Sequence, residues 1–313
     1  MRQEIKQVAV VGTGVIGASW AAYFLAQGLD VVATDPMPEA ETRLRDTVAR
    51  LWSTMQSIGL KAGASQDRLR FEADLFEAVK DADFVQESAP EEEALKIDLF
   101  QRMDSVVPAD VVLASSSSGL LISKVQSACK HPERVVLGHP FNPPHLIPLV
   151  EVIGGDKTSR EALKATTDFY NSIGKSSVNP RKEVKGHIAN RLQAALWREA
   201  FHLVEQGVAT VRDIDTVISH GPGLRWSLLG PFMNIHLSGG QGGIEYMLDH
   251  LGGPIQEWWD DLGSPNMTPE LKQTVATQLR DVLASSDESE FVAERDRLLL
   301  DLVAAKKASA KLP

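Results

Sequence analysis

At 313 residues, 43% of them hydrophobic and 24% charged, the chain has the make-up of a globular protein holding one large domain or two ordinary ones. That composition excludes disordered, collagen-like and polar-repeat polymers. Thirty-two Lys plus Arg against 42 Asp plus Glu leave a formal charge of −10, which opposes general affinity for nucleic acid or anionic lipid. Cys129 is the only cysteine, so no intramolecular disulfide can form and a cytoplasmic, reducing home is expected. The apolar runs at 8–11 and 298–300 fall far short of the ~20 residues that span a bilayer. The first residues lead straight into a strand-like run with no signal-peptide core.

Short β-branched runs at 8–11, 31–34, 84–86, 111–114, 135–138 and 149–153 alternate with helical or connecting stretches at 15–27, 38–58, 75–79, 91–106 and 123–129. This alternation predicts a parallel sheet flanked by helices, a Rossmann-type doubly wound α/β fold. Residues 159–173 read as a further helix and 176–179 as a short strand. Beyond them strands disappear. A long amphipathic stretch at 187–206, a helix at 211–219, a Gly/Pro-rich bend at 221–223 and helices from Pro269 and Glu288 predict an all-helical second domain. The expected domains are 1–184 and 185–313, with the helix from Glu288 packing at the surface or against a second subunit.

Gly12-Thr13-Gly14-Val15-Ile16-Gly17 follows the first strand directly and opens the first helix. Gly12 permits the tight turn and Gly14 lets backbone N–H groups approach a pyrophosphate. Gly17 lets helix and strand pack closely, while the N–H groups of Val15 and Ile16 open the helix toward the phosphates. Alone, the motif also fits a plain turn. Here Gly28 closes the helix, a second strand follows, and Asp35 ends it 18 residues past Gly17, where a carboxylate binds a ribose 2′-hydroxyl and repels a 2′-phosphate. The cofactor expected is NAD; the alternative for Asp35 is a strand-end turn residue helped by Pro36.

His139 ends the strand 135–138, at the edge of an open α/β sheet where ligands bind. A proline-rich turn returns the chain through 149–153, where Glu151 stands between aliphatic neighbours and needs a partner. Together they make an acid–base unit. Glu151 orients the ring and stabilises imidazolium, and the free ring nitrogen takes an alcohol proton. The alternative is a surface Glu and a histidine satisfied by local backbone.

With these residues in place, the sequence resembles the L-3-hydroxyacyl-CoA dehydrogenases and their relatives over nearly its whole length. The likeness rests on the glycine motif, Ala114 with Ser115 to Ser118, His139 with Asn142, Glu151, Lys185-Gly186 with Asn190-Arg191, Asp213-Ile214-Asp215 and Gly230-Pro231-Phe232. It implies a two-domain NAD enzyme that dimerises through its helical domain, with His139 as general base and Glu151 its partner. Ser118 and Asn190 match positions that hydrogen-bond the substrate oxygen; the alternatives are a helix cap for Ser118 and a helix-to-loop tie for Asn190. Glu87 matches a position near the cofactor.

Family members acting on acyl-CoA carry a Lys-rich helix after the second strand, whereas 39–61 here holds only four basic residues among its acids. The join at 221–230 and the glycine-rich stretch at 239–243 look like the branch that oxidises L-carnitine, with the gulonate dehydrogenase and lambda-crystallin branch next. An L-3-hydroxyacyl-CoA or L-gulonate is the alternative substrate, and a non-catalytic crystallin-like binder the alternative class. Trp197, Trp226, Trp258 and Trp259 offer faces for a trimethylammonium group, and Arg225 a fork for a carboxylate or an ordinary salt bridge. No Cys pair or His-x-x-x-His spacing points to a metal.

Overall fold

A computed structural model describes residues 1–2, 4–284 and 287–312; Gln3, Ser285, Ser286 and Pro313, which fall within the expected domain spans, lie outside the described residues. In chain order the elements are β1 (Gln7–Val11), α1 (Val15–Ala26), β2 (Asp30–Thr34), α2 (Ala40–Ile58), β3 (Leu69–Phe71), α3 (Leu75–Val79), β4 (Phe84–Glu87), α4 (Glu93–Asp104), β5 (Val112–Ser115) and α5 (Ile122–Val125). There follow β6 (Val135–Pro140), β7 (Leu149–Gly154), α6 (Arg160–Ser172), β8 (Ser176–Val178) and α7 (Ala189–Glu205). Helices complete the chain: α8 (Val211–His220), α9 (Pro222–Trp226), α10 (Pro231–Ser238), α11 (Gly243–Asp261), α12 (Pro269–Leu283) and α13 (Glu288–Ala308). Two compact units result, Met1–Arg191 and Leu192–Pro313, with α7 running through the join.

The first unit is a Rossmann-type sheet in the order β3-β2-β1-β4-β5-β6-β7-β8. Strands β1 to β6 are parallel, and β7 turns antiparallel to β6 and carries β8 parallel to itself. Both faces are covered. Val8 and Val10 point into a core with α1, α2 and α6, while Ala9 and Val11 point into another with α3 and α4, as period-two alternation requires of a sheet with two helical layers. The order reverses on either side of β1, so the crevice at the carboxyl ends of β1 and β4 is the topological switch point.

Local chemistry explains the element ends. Helix α1 is buried on nearly every side from Gly17 to Ala26, so it shows no polar stripe. Gly28, at φ +81°, stops it in the left-handed conformation that glycine adopts freely. Strand β3 escaped the sequence reading because three residues are too few to show alternation.

The second unit is all helical. Thr210 and Asp213 form a reciprocal capping box at the start of α8, which gives Asp213 a structural duty. Thr268 caps α12 and Asp287 caps α13. The expected bend at 221–223 is confined to Gly221, because Pro222 opens a short helix, a position where its missing N–H costs nothing. Helices α10 and α11 fill the stretch that the sequence left unassigned. Among the described residues, no helix is long and apolar enough to cross a membrane.

Candidate active site

At the carboxyl end of β1 the backbone of Gly12 takes φ +90°, and a Cβ there would press within 2.7–2.8 Å of the Ser88–Ala89 backbone. A Cβ on Gly17 would stand 1.8 Å from the Gly12 carbonyl oxygen, so only glycine lets α1 approach the turn. Gly14 differs, for a Cβ on it would meet nothing within 4 Å. It is the N-cap of α1 and supplies no side-chain cap, and Val15 beside it is 77% exposed. The N–H groups of Val15, Ile16 and Gly17 have no hydrogen-bond partner among the described residues. This is a cradle with room and donors for a pyrophosphate.

Asp35 stands at the end of β2 with Oδ2 accepting the N–H of Thr13 at 2.7 Å and its hydroxyl at 3.1 Å, while Oδ1 accepts the Met37 N–H at 2.9 Å. The carboxylate thus braces the glycine turn from the side expected for a ribose. The fit to a dinucleotide is good.

Glu87, expected beside the cofactor, is wholly buried. Its Oε1 takes Lys96 Nζ at 2.5 Å and the Ala89 N–H at 2.7 Å, and its Oε2 takes the Ser115 hydroxyl at 2.6 Å. Those contacts bind β4, β5 and α4 together and leave no surface for a ligand. The carboxylate exposed on this edge is Glu91. It receives the Ser117 hydroxyl at 2.6 Å and the Gly119 N–H at 2.8 Å, with Lys96 Nζ 3.9 Å away. Burial pushes the Glu91 carboxyl up, but these donors and the Lys96 charge outweigh it and hold the group below its usual range.

His139 and Glu151 face each other directly across the antiparallel pair β6–β7, which puts both side chains on one face of the sheet. His139 Nδ1 lies 3.0 Å from Glu151 Oε2, and both residues are buried. A carboxylate can only accept, so Nδ1 carries the proton shared with Glu151. Among the described residues Nε2 has no hydrogen-bond partner. The other carboxylate oxygen, Oε1, accepts the N–H of Ile188 at 2.8 Å and of Ala189 at 3.2 Å, where the chain enters α7. Burial raises the Glu151 carboxyl, and the three N–H donors more than offset this, so the group sits below its normal range.

Ser118 is exposed in the loop after β5, and its hydroxyl makes no hydrogen bond among the described residues. It caps no helix; α5 begins at Ile122 without a side-chain cap. Asn190 Nδ2 donates to the Ser118 carbonyl at 3.0 Å, so the helix-to-loop tie exists and leaves the second amide hydrogen free. The structure thus brings His139, Glu151, Ser118 and Asn190 onto one edge of the first unit. In the second unit Arg225 and Trp226 are adjacent and exposed on α9, and Arg225 forms no ion pair among the described residues. Trp197, Trp258 and Trp259 are also more than half exposed.

Sequence reasoning missed His187. Its imidazole is 2% exposed and lies against His139, ring centroids 5.1 Å apart. Gly186 beside it offered a signal, because a glycine between a lysine and a histidine just before a helix marks an unusual backbone turn.

The sequence matches the model of the 3-hydroxyacyl-CoA dehydrogenase NAD binding domain over residues 7–184 and that of the 3-hydroxyacyl-CoA dehydrogenase C-terminal domain over residues 186–267. It is 48% identical to an L-carnitine dehydrogenase of Streptomyces griseus, over 99% of this chain and 92% of that one. With an L-carnitine dehydrogenase of Bacillus cereus it shares 46% identity over 96% of this chain and 93% of the relative. Among solved structures, an NAD+-dependent 5-formyl-3-hydroxy-2-methylpyridine 4-carboxylic acid 5-dehydrogenase is similar, with TM-score 0.85 and 32% identity, covering 97% of this chain and 99% of that one.

Proposed function

This chain belongs to the 3-hydroxyacyl-CoA dehydrogenase family, an NAD-dependent dehydrogenase family, and from that premise we propose that it oxidises the secondary alcohol of L-carnitine to give 3-dehydrocarnitine. The observation that carries the chemistry is the His139–Glu151 pair, with Nδ1 committed to the carboxylate and Nε2 unengaged. Similarity at 46–48% identity to several L-carnitine dehydrogenases supports the substrate.

In this reading Nε2 of His139 removes the hydroxyl proton, and Glu151, ionised beforehand, stabilises the imidazolium so formed. The Ser118 hydroxyl and the free Asn190 amide hydrogen orient the substrate oxygen. Gly12, Gly14, Val15, Ile16, Gly17 and Asp35 hold the dinucleotide, and Glu87, through Lys96 and Ser115, ties together the strands and helix beneath that edge. Bound NAD supplies the acceptor for the hydride that leaves the carbinol carbon. Arg225 and Trp226, adjacent on α9 of the second unit, offer a fork for a carboxylate and a face for a cationic group, the latter an attraction of ~0.5–2 kcal/mol.

A second copy of the chain is the partner. The unit from Leu192 leaves Phe232 76%, Trp259 63% and Phe291 63% exposed, and it buries few apolar side chains of its own. An apolar surface of that kind supports a homodimer through the helical unit. The lone free thiol supports a cytoplasmic home.

The test is purified protein with NAD and, in parallel, L-carnitine, L-gulonate and an L-3-hydroxyacyl-CoA, following NADH absorbance. Turnover is expected with L-carnitine above the others, and its loss in His139→Gln. No NADH from L-carnitine, or a clear preference for the thioester, overturns the substrate assignment.

A further inference from the structure

His187 takes no part in the chemistry described so far, yet it is placed with care. Gly186 and His187 both adopt the left-handed conformation, at φ +77° and φ +52°. For a residue with a Cβ that backbone costs energy and persists only where its surroundings demand it. Two consequences follow from the twist. It aims the N–H groups of Ile188 and Ala189 at Glu151. It also buries the His187 ring against His139, with the ring planes 51° apart.

The His187 ring has its own anchor. Its Nε2 lies 3.2 Å from the carbonyl oxygen of Ser117, and a carbonyl can only accept, so Nε2 carries the proton. Ser117 neighbours Ser118, whose carbonyl is held by Asn190. The segment 187–190 therefore grips this loop at two successive carbonyls while touching both members of the acid–base pair.

We propose that His187 is a positioning residue of this site: a second imidazole that locks the His139 ring and the loop bearing Ser118 into one geometry. The inference rests on the reading of His139 as the base. Charge arguments agree with the geometry. Burial and the nearby His139 lower the His187 pKa, and the Ser117 carbonyl, Glu151 and Glu91 pull weakly the other way. A neutral neighbour adds no repulsion when His139 gains the alcohol proton, and it leaves the whole Glu151 charge to His139. Phenylalanine would fill the space but abandon the buried Ser117 carbonyl.

The experiment compares His187→Phe with His187→Gln, which keeps an N–H donor able to reach that carbonyl. In the phenylalanine variant kcat for the 3-hydroxy acid is expected to fall about 10- to 100-fold, with NAD affinity unchanged. The glutamine variant should recover most of that loss. A phenylalanine variant with wild-type kcat, or a glutamine variant no better than phenylalanine, overturns the proposal. Should neither variant fold, 15N NMR of the imidazoles in the wild-type protein decides instead. His187 is expected as a neutral Nε2–H ring at neutral pH, and a ring protonated there or carrying its proton on Nδ1 refutes it. Failure of the His139 assignment shows separately, as undiminished turnover in His139→Gln.

Discussion

Replacing Glu151 by glutamine keeps the shape of the side chain and removes one charge, so it isolates what the carboxylate does for His139. The amide must satisfy the same three N–H donors with one oxygen. The backbone N–H groups of Ile188 and Ala189 cannot turn away, so the amide oxygen stays with them and the NH2 group faces His139 Nδ1. Two donors then meet, and the ring resolves the conflict by moving its proton to Nε2, the atom we propose as the base. The imidazolium also loses its counter-charge; a unit pair 3.0 Å apart attracts by about 5 kcal/mol at an effective dielectric of ~20. Tautomer and charge together should lower kcat about 10²- to 10⁴-fold, ~3–5 kcal/mol of transition-state stabilisation. NADH formation from L-carnitine between pH 6 and 9 measures it, with NAD affinity and thermal midpoint as controls. A wrong tautomer is not corrected by pH, so the deficit should persist across that range. A kcat within about fivefold of wild type, or full recovery at one end of the range, would refute the reasoning.

Three further outcomes follow from the same coordinates. Gly17→Ala should destabilise the fold by ~1–3 kcal/mol, because its methyl meets the Gly12 carbonyl at 1.8 Å, whereas Gly14→Ala should melt like wild type and bind NAD at least about tenfold more weakly; equal melting of the two proteins would contradict this. Asp35→Ala should weaken NAD about 10- to 100-fold and NADP much less, and equal losses would remove the carboxylate from the ribose. Lys175 is buried with Nζ over the Tyr23 ring and donating to Ile147 O, and burial pushes its pKa down from 10.5 to about 7. Between those values the unfolded chain binds the extra proton, so stability should rise with pH from about 7 toward 10.5 by up to ~1.4 kcal/mol per pH unit; in Lys175→Met that contribution to the slope should vanish, and an unchanged slope in urea titrations would sink the assignment.

Much of this architecture is legible because sterics and periodicity leave marks in residue identity. Gly17 is readable since no other residue fits against the Gly12 carbonyl, and Val8 to Val11 since their alternation serves two helical layers. His139 and Glu151 could be paired because one ends a strand and the other is an acid among aliphatics in the next. What stayed hidden is carried by groups without a residue signature. The N–H donors that hold Glu151 belong to Ile188 and Ala189, whose side chains say nothing of the role. Glu87 looks the same in sequence whether it meets a ligand or Lys96 nine residues later. Gly221-Pro222-Gly223 reads as a turn because only the fold decides that Pro222 is a first helical residue.

The buried acids of the first unit differ in their partners. Glu87 is paired with Lys96, and Asp104 with Arg134, whose Nη2 lies 2.7 Å from Oδ1. Glu151 has no such partner. It faces His139, which in the proposed mechanism takes up charge as the alcohol gives up its proton, and backbone dipoles at the start of α7 help to hold the carboxylate ionised. Burying a carboxylate without a counter-ion is costly, and in that mechanism the formation of imidazolium relieves the cost. The proposed mechanism thus makes the Glu151–His139 attraction stronger when proton transfer is under way, which is the condition an interaction must meet to accelerate a reaction rather than merely tighten binding.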